Sequence, residues 1–156
     1  MAKYSAMQIA HWFIKRNQEA MENEGADPMT LLKLLKLLYY AEGCYLAINN
    51  GERLFDEKIV AWEHGPVVEE VYHAFPDPYN LDVSDAELAD ADQIDEDVQN
   101  LLEQVFVTFG KYSAWALRNK THEEDPWRLA TDNGQRLNGE IDQNIMQEYF
   151  AKNYVQ

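Results

Sequence analysis

Two short runs hold the side chains best suited to chemistry. His122, Glu123, Glu124 and Asp125 put nitrogen and oxygen donors into one turn, and Glu63-His64 sets a carboxylate beside an imidazole just before Gly65. The first run offers hard ligands for a divalent metal. A structural zinc site, however, wants several Cys or His at repeated spacing, and here a single His stands among carboxylates. A metal-dependent enzyme using His122, Glu123 and Asp125 therefore ranks below a non-catalytic protein, and neither a bound metal nor a cofactor is expected. The mechanical alternative accounts for the same residues. Thr121 and Glu124 have capping-box spacing, Asp125-Pro126 has the form of a cap followed by a proline start, His122 bonds a neighbouring turn, and Trp127 fills a gap. Glu63-His64 has acid and base types but no nucleophile, phosphate loop or second base at a recognisable distance. His73 falls with Glu69 and Glu70 on the polar side of its segment. Walker loop, dinucleotide fingerprint, His-Glu-x-x-His and Gly-x-Ser-x-Gly are all missing from the chain, so the common hydrolases and nucleotide enzymes lack their markers.

Charge narrows the partners. The formal net charge is −15, and residues 59–110 contain thirteen Asp and Glu with no Lys or Arg, which leaves the remainder near −2. Such a field repels phosphates, disfavouring direct nucleic-acid binding, and it draws basic protein surfaces. The candidate partner-binding residues are accordingly Asp90, Asp92, Asp95 and Asp97, joined by Trp62, Glu63, His64 and Tyr72. The aromatic members offer large contact area at low entropic cost.

The elements that must position these residues are mostly helices. At 156 residues with 46% hydrophobic side chains, the chain is sized for one domain over 1–156 with a core that needs no disulfide or metal. Its one cysteine, Cys44, falls in the most apolar segment, where a thiol serves as a small hydrophobe. The N-terminus has no basic run followed by an apolar one, and Lys33, Lys36 and Glu42 interrupt the longest apolar stretch, so a cytoplasmic protein with no membrane partner is expected. Three-and-four spacing predicts a helix over Ser5–Glu22. After the Gly25–Pro28 break, Thr30 caps a second helix from Leu31 to about Ile48, apolar around nearly its whole circumference and hence a central post. Leu54-Phe55 and Lys58–Trp62 predict strands. Gly65-Pro66 predicts a joint, with the proline opening a helix that buries Val67, Val68, Val71, Tyr72 and Phe75. An acidic loop over 77–93 carries one weak turn at Ala86–Ala91, and Ile94–Phe109 is amphipathic. Ser113 caps a helix to about Lys120, a short helix carries Trp127, and Ile141, Ile145, Tyr149 and Phe150 mark the last helix. The fold class is mainly α: a compact helical domain around a central apolar helix, with a small two-stranded β-ribbon.

Several of these segments carry a resemblance. Lys33–Ala41, Leu54-Phe55, Ala61-Trp62 and Gly65-Pro66-Val67-Val68 with Tyr72, followed by Tyr112–Leu117, Thr121-His122 and Pro126-Trp127, resemble in the same order the Panacea domain, a family that includes SocA-like antitoxins and phage-associated proteins. The likeness covers most of the chain but not the acidic stretch between Pro76 and Asp97, which matches no shared motif. It implies that Leu35, Lys36, Leu37, Tyr39, Tyr40, Gly65, Pro66, Val67, His122, Pro126 and Trp127 hold the fold. It also implies a non-catalytic member of a toxin–antitoxin system that binds and neutralises a cognate toxin protein by direct contact. In the SocA-like case a protease is a second partner, to which the adapter delivers the toxin. A phage accessory protein acting against host defence is a further reading of the same likeness. Family toxins include relatives of small alarmone synthetases that modify tRNA. A basic tRNA-binding surface on such an enzyme would suit the acidic segment.

Overall fold

The structure is a computed structural model that describes residues 1–155. Helix α1 (Ala6–Glu24) starts where the Ser5 hydroxyl accepts a bond from the Gln8 amide and stops at Gly25, whose φ of 70° is left-handed. Helix α2 (Leu31–Ile48) starts in the same way, with the Thr30 hydroxyl accepting from the Lys33 amide. Thirteen of its residues are buried, Lys36 and Glu42 among them. The post expected from its all-round apolarity is therefore present. Each of its buried leucines contributes about 1.5–3 kcal/mol on leaving water.

The β-structure differs from the sequence expectation. Strand β1 (Val60–Trp62) pairs antiparallel with β2 (Gly65–Val67), with Trp62 opposite Gly65, and β1 also pairs with β3 (Gly139–Glu140). Leu54-Phe55 forms no strand of this sheet; Phe55 makes a lone bridge to Tyr4. Gly65-Pro66, expected to open a helix, is a strand instead, and α3 (Glu69–Ala74) begins only after Val68. The ribbon is thus a hairpin closed by Glu63-His64 and extended to three strands by a segment from near the C-terminus. Pro66 is tolerated because β2 is an edge strand, where a missing N–H breaks no ladder bond.

The acidic stretch is more structured than a loop. Ser84 and Glu87 form a capping box for α4 (Asp85–Leu88), a 3-10 turn follows over Ala89–Gln93, and Asp95 precedes α5 (Glu96–Phe109). Leu88, Ala91, Ile94, Val98 and Leu102 are buried along it. Ser113 caps α6 (Ala114–His122), α7 (Asp125–Thr131) holds Pro126 in its first turn, and Asp142 caps α8 (Gln143–Asn153). The capping box expected from Thr121 and Glu124 does not form. The Thr121 hydroxyl donates to the Arg118 carbonyl at 2.8 Å and the Glu124 carboxylate turns inward. Helices α1, α5, α6 and α8 all pack on α2. Gly43 lets α8 come close: a Cβ there would lie 2.3 Å from the Phe150 ring. Among the described residues no helix is long and apolar enough to cross a membrane.

Candidate functional site

The hairpin places Trp62, Glu63 and His64 at one rim of a cleft of about 440 Å³. Tyr72 from α3 meets Trp62 edge to face, ring centroids 4.8 Å apart, and Leu31 and Leu35 from α2 with Val67 from β2 add to the apolar lining. Four of the sequence candidates, Trp62, Glu63, His64 and Tyr72, are therefore brought together. The hairpin is anchored from behind, where the Trp127 indole N–H donates to the Trp62 carbonyl at 2.9 Å. Gly65, at φ 109°, carries the positive dihedral that closes the turn. A Cβ on it would sit 2.6 Å from Lys36 Cε and 2.9 Å from Thr121 Oγ1, so only glycine fits.

Asp90, Asp92, Asp95 and Asp97 do not line this cleft. Three of them face α1 and the N-terminal segment. Asp90 meets His11 at 2.9 Å, Asp92 meets Lys15 at 2.7 Å, and Asp95 meets Lys3 at 2.5 Å. Glu103 joins them in a two-pronged pair with Arg16, at 2.7 and 3.2 Å. The expected acidic patch is thus partly neutralised by its own fold. Among the described residues Asp97 has no ion-pair partner, and neither do Glu63, Glu69 and Glu70. Sequence reasoning also passed over the other edge of the hairpin. There Arg118 stacks over Trp115 at 4.4 Å and donates to His64 Nδ1 at 3.1 Å. It also passed over Leu137 and Asn138, which form a wall of the cleft. The Trp115 and Arg118 spacing on one helix was a signal; the arrival of Leu137 from far along the chain was not.

Behind the hairpin lies a buried polar layer. Lys36 is fully buried and donates to the Pro66 carbonyl at 3.2 Å. Burial first, and the Arg118 charge second, bring its pKa down to about 7. The His122 ring stacks on Trp127 at 3.8 Å, its Nε2 has no hydrogen-bond partner among the described residues, and burial lowers its pKa. Its neighbour Glu124 turns instead toward α2 and α8. There Tyr39 donates to Oε1 at 3.0 Å and the Tyr154 hydroxyl donates to Oε2. Burial raises Glu124 to about 6, with the tyrosine hydroxyls opposing the rise. Tyr39 is pushed well above its ordinary value, chiefly by burial. Glu42, also buried, accepts from the Leu54 amide at 2.7 Å and from Arg53 at 3.4 Å; burial takes it to about 7.

This geometry separates the metal-ligand candidates. Glu123 and Asp125 are exposed, His122 is stacked on an indole, and Glu124 is engaged by tyrosines. Among the described residues no three His, Cys, Asp or Glu are grouped to hold a metal ion. The Cys44 thiol is buried and raised to about 12, which removes it as a nucleophile near neutrality. The side chains of Lys36, Tyr39 and Trp127 join the hairpin and α7 to α2 and to each other, with the Pro66 carbonyl as acceptor for Lys36 and Gly65 leaving room for it.

Comparison with curated proteins and with solved structures returned no match. The family described as Antitoxin SocA-like, Panacea domain matches residues 34–128, a span that begins in α2, includes the hairpin and cleft rim, and ends in α7. The chain belongs to the SocA-like antitoxin, Panacea-domain family.

Proposed function

We propose that this protein is a non-catalytic antitoxin that neutralises a toxin protein by binding it directly. The observation that carries the reading is the family match over residues 34–128. Its support in the structure is that four polar side chains of that span are packed inside the fold. Lys36, Tyr39 and Glu124 hold elements together, and His122 is packed on Trp127, so none is left at an open, reactive position. The unpaired carboxylates Glu63, Glu69 and Glu70 favour a target with a basic face, such as an enzyme that binds tRNA. Residues 1–156 act as one unit in this reading, and occlusion needs no second partner.

Co-expression with the product of the adjoining gene, and with a panel of toxins, tests the proposal. Restored growth with toxin levels unchanged supports occlusion. Restored growth that requires a protease and is accompanied by loss of the toxin points to delivery instead. No rescue of any toxin, the neighbour's included, counts against the antitoxin role.

A further inference from the structure

The cleft beside the hairpin combines features that lie apart in the sequence. Its floor is aliphatic, from Leu31, Leu35 and Val67, and its rim is aromatic, from Trp62 and Tyr72. Tyr72 is 40% exposed, so its ring lies open to a partner. Edge-to-face packing of these rings leaves π-surface for a guanidinium or ammonium group. Glu63 stands on the rim, and Glu69 and Glu70 lie in the first turn of α3 next to Tyr72. All three are exposed and without ion pairs among the described residues, and neither Lys nor Arg lines the cleft. Its volume suits a few side chains, not a folded domain.

We infer that this cleft is a docking site for an extended segment of a partner protein in which an apolar residue is flanked by Arg or Lys. The apolar side chain enters over Leu35 and Val67. The flanking cations lie against Trp62 and Tyr72 and pair with Glu63 and Glu69. The site deepens the antitoxin reading and rests on it for the identity of the partner, though its chemistry can be measured separately. The hairpin anchor gains a role from it, because Trp127, by fixing Trp62 through its carbonyl, holds the aromatic rim open toward α3.

The test uses the full ¹⁵N-labelled chain and two synthetic peptides, one alternating Leu and Arg, the other Leu and Glu. The Leu/Arg peptide is expected to shift the amide signals of Trp62, Glu63, His64 and Tyr72, and the Leu/Glu peptide to leave them in place. Tyr72→Ala, and the double change Glu63→Lys with Glu69→Lys, should each weaken binding at least ten-fold while leaving the melting temperature within about two degrees. Absence of shifts, or shifts confined to Asp85–Asp97, overturns the inference. In cells the double variant should lose neutralisation of any toxin that the parent protein restrains. Full neutralisation by that variant also overturns the cleft but leaves the antitoxin role standing. Peptide binding at the cleft by a protein that restrains no toxin upholds the cleft and removes the antitoxin role.

Discussion

Glu124 and Lys36 are both buried beside α2, one toward α8 and the other under the hairpin, and their surroundings differ in completeness. Each Glu124 oxygen receives a tyrosine hydroxyl, from Tyr39 and Tyr154, within a cluster of the Tyr40, Phe109 and Phe150 rings, where the buried Tyr40 hydroxyl has no hydrogen-bond partner among the described residues. Lys36 has a single carbonyl partner for three N–H groups, next to an imidazole with an orphan nitrogen. The Glu124 carboxylate, with both oxygens bonded, ties α8 and α7 to the post. The under-satisfied amine sits behind the only strands of the described residues, next to the cleft. Each side holds one orphan atom; what separates the two is how fully the buried charged group's own hydrogen bonds are met, and that sets which one can be altered without loss.

The largest effect should come from the satisfied side. Glu124→Ala strands the fully buried Tyr39 hydroxyl and opens a void, which should cost about 3 kcal/mol in urea unfolding. Glu124→Gln keeps an acceptor and should cost about 1 kcal/mol. Equal losses for the two variants would show that volume, not hydrogen bonding, holds this cluster.

Lys36→Met should act in the opposite direction. It removes a buried amine whose pKa has fallen to about 7, at the expense of one long hydrogen bond, and should stabilise the protein by about 2 kcal/mol at neutral pH. The sign depends on pH. Between about 7 and the ordinary lysine value the unfolded chain holds a proton that folded Lys36 has released, so stability rises with pH across that window. Glu42, raised to about 7, and Glu124, raised to about 6, do the reverse. Folded, they keep protons that the unfolded chain gives up, so stability falls as pH climbs from about 4.5. The three groups together place a minimum near neutrality. The lowered carboxyls of Asp95 and Glu87 act below that range. Denaturation at pH 5, 7 and 9 should show the minimum in the parent protein. Lys36→Met should lose the upper arm, and Glu42→Gln most of the lower one. A monotonic profile would mean that Lys36 is hydrated in solution.

The long helices of this fold were legible because their signals are local. Ser5, Thr30, Ser113 and Asp142 cap the helices they precede, and the all-apolar circumference of Leu31–Ile48 required a post surrounded on every side. The hairpin was misread because Gly65-Pro66 has the chemistry of a helix start as well as of an edge strand. What decides between them is the two-residue gap from Trp62 and the room at Gly65 for Lys36, and the second is a tertiary fact. Strand β3 had no local signal, since Gly139–Glu140 is a strand only because Asn138 and Ile141 bond to Ala61 and Ile59. At the candidate site, residue types identified Trp62 and Tyr72 as a contact surface but could not join them to Leu137. Nor could counting carboxylates tell Glu63, which is free, from Asp92, which faces Lys15.

That last distinction carries the smallest expected effect. The Asp92–Lys15 pair is 2.7 Å long but largely solvent-exposed, and such pairs return little after side-chain entropy and screening. Asp92→Asn should change stability by less than about 0.5 kcal/mol, a difference that shrinks further in molar salt. The α4–α5 segment stays on α1 through Leu88, Ala91 and Ile94, all buried, and through the Trp12 indole N–H donating to Gln99 at 3.2 Å. A loss above about 1.5 kcal/mol, abolished by salt, would mean that charge docks the segment, and the contrast between saturated interior and weak exterior would fail. The result also fixes how charge reversal should be read. Reversing Asp90, Asp92 and Asp95 together sets three cations against His11, Lys15 and Lys3, so lost partner binding there would mix a displaced segment with a lost contact. Reversal at Glu63 and Glu69 disturbs no ion pair within the described chain, which makes the cleft the place where charge and recognition can be separated.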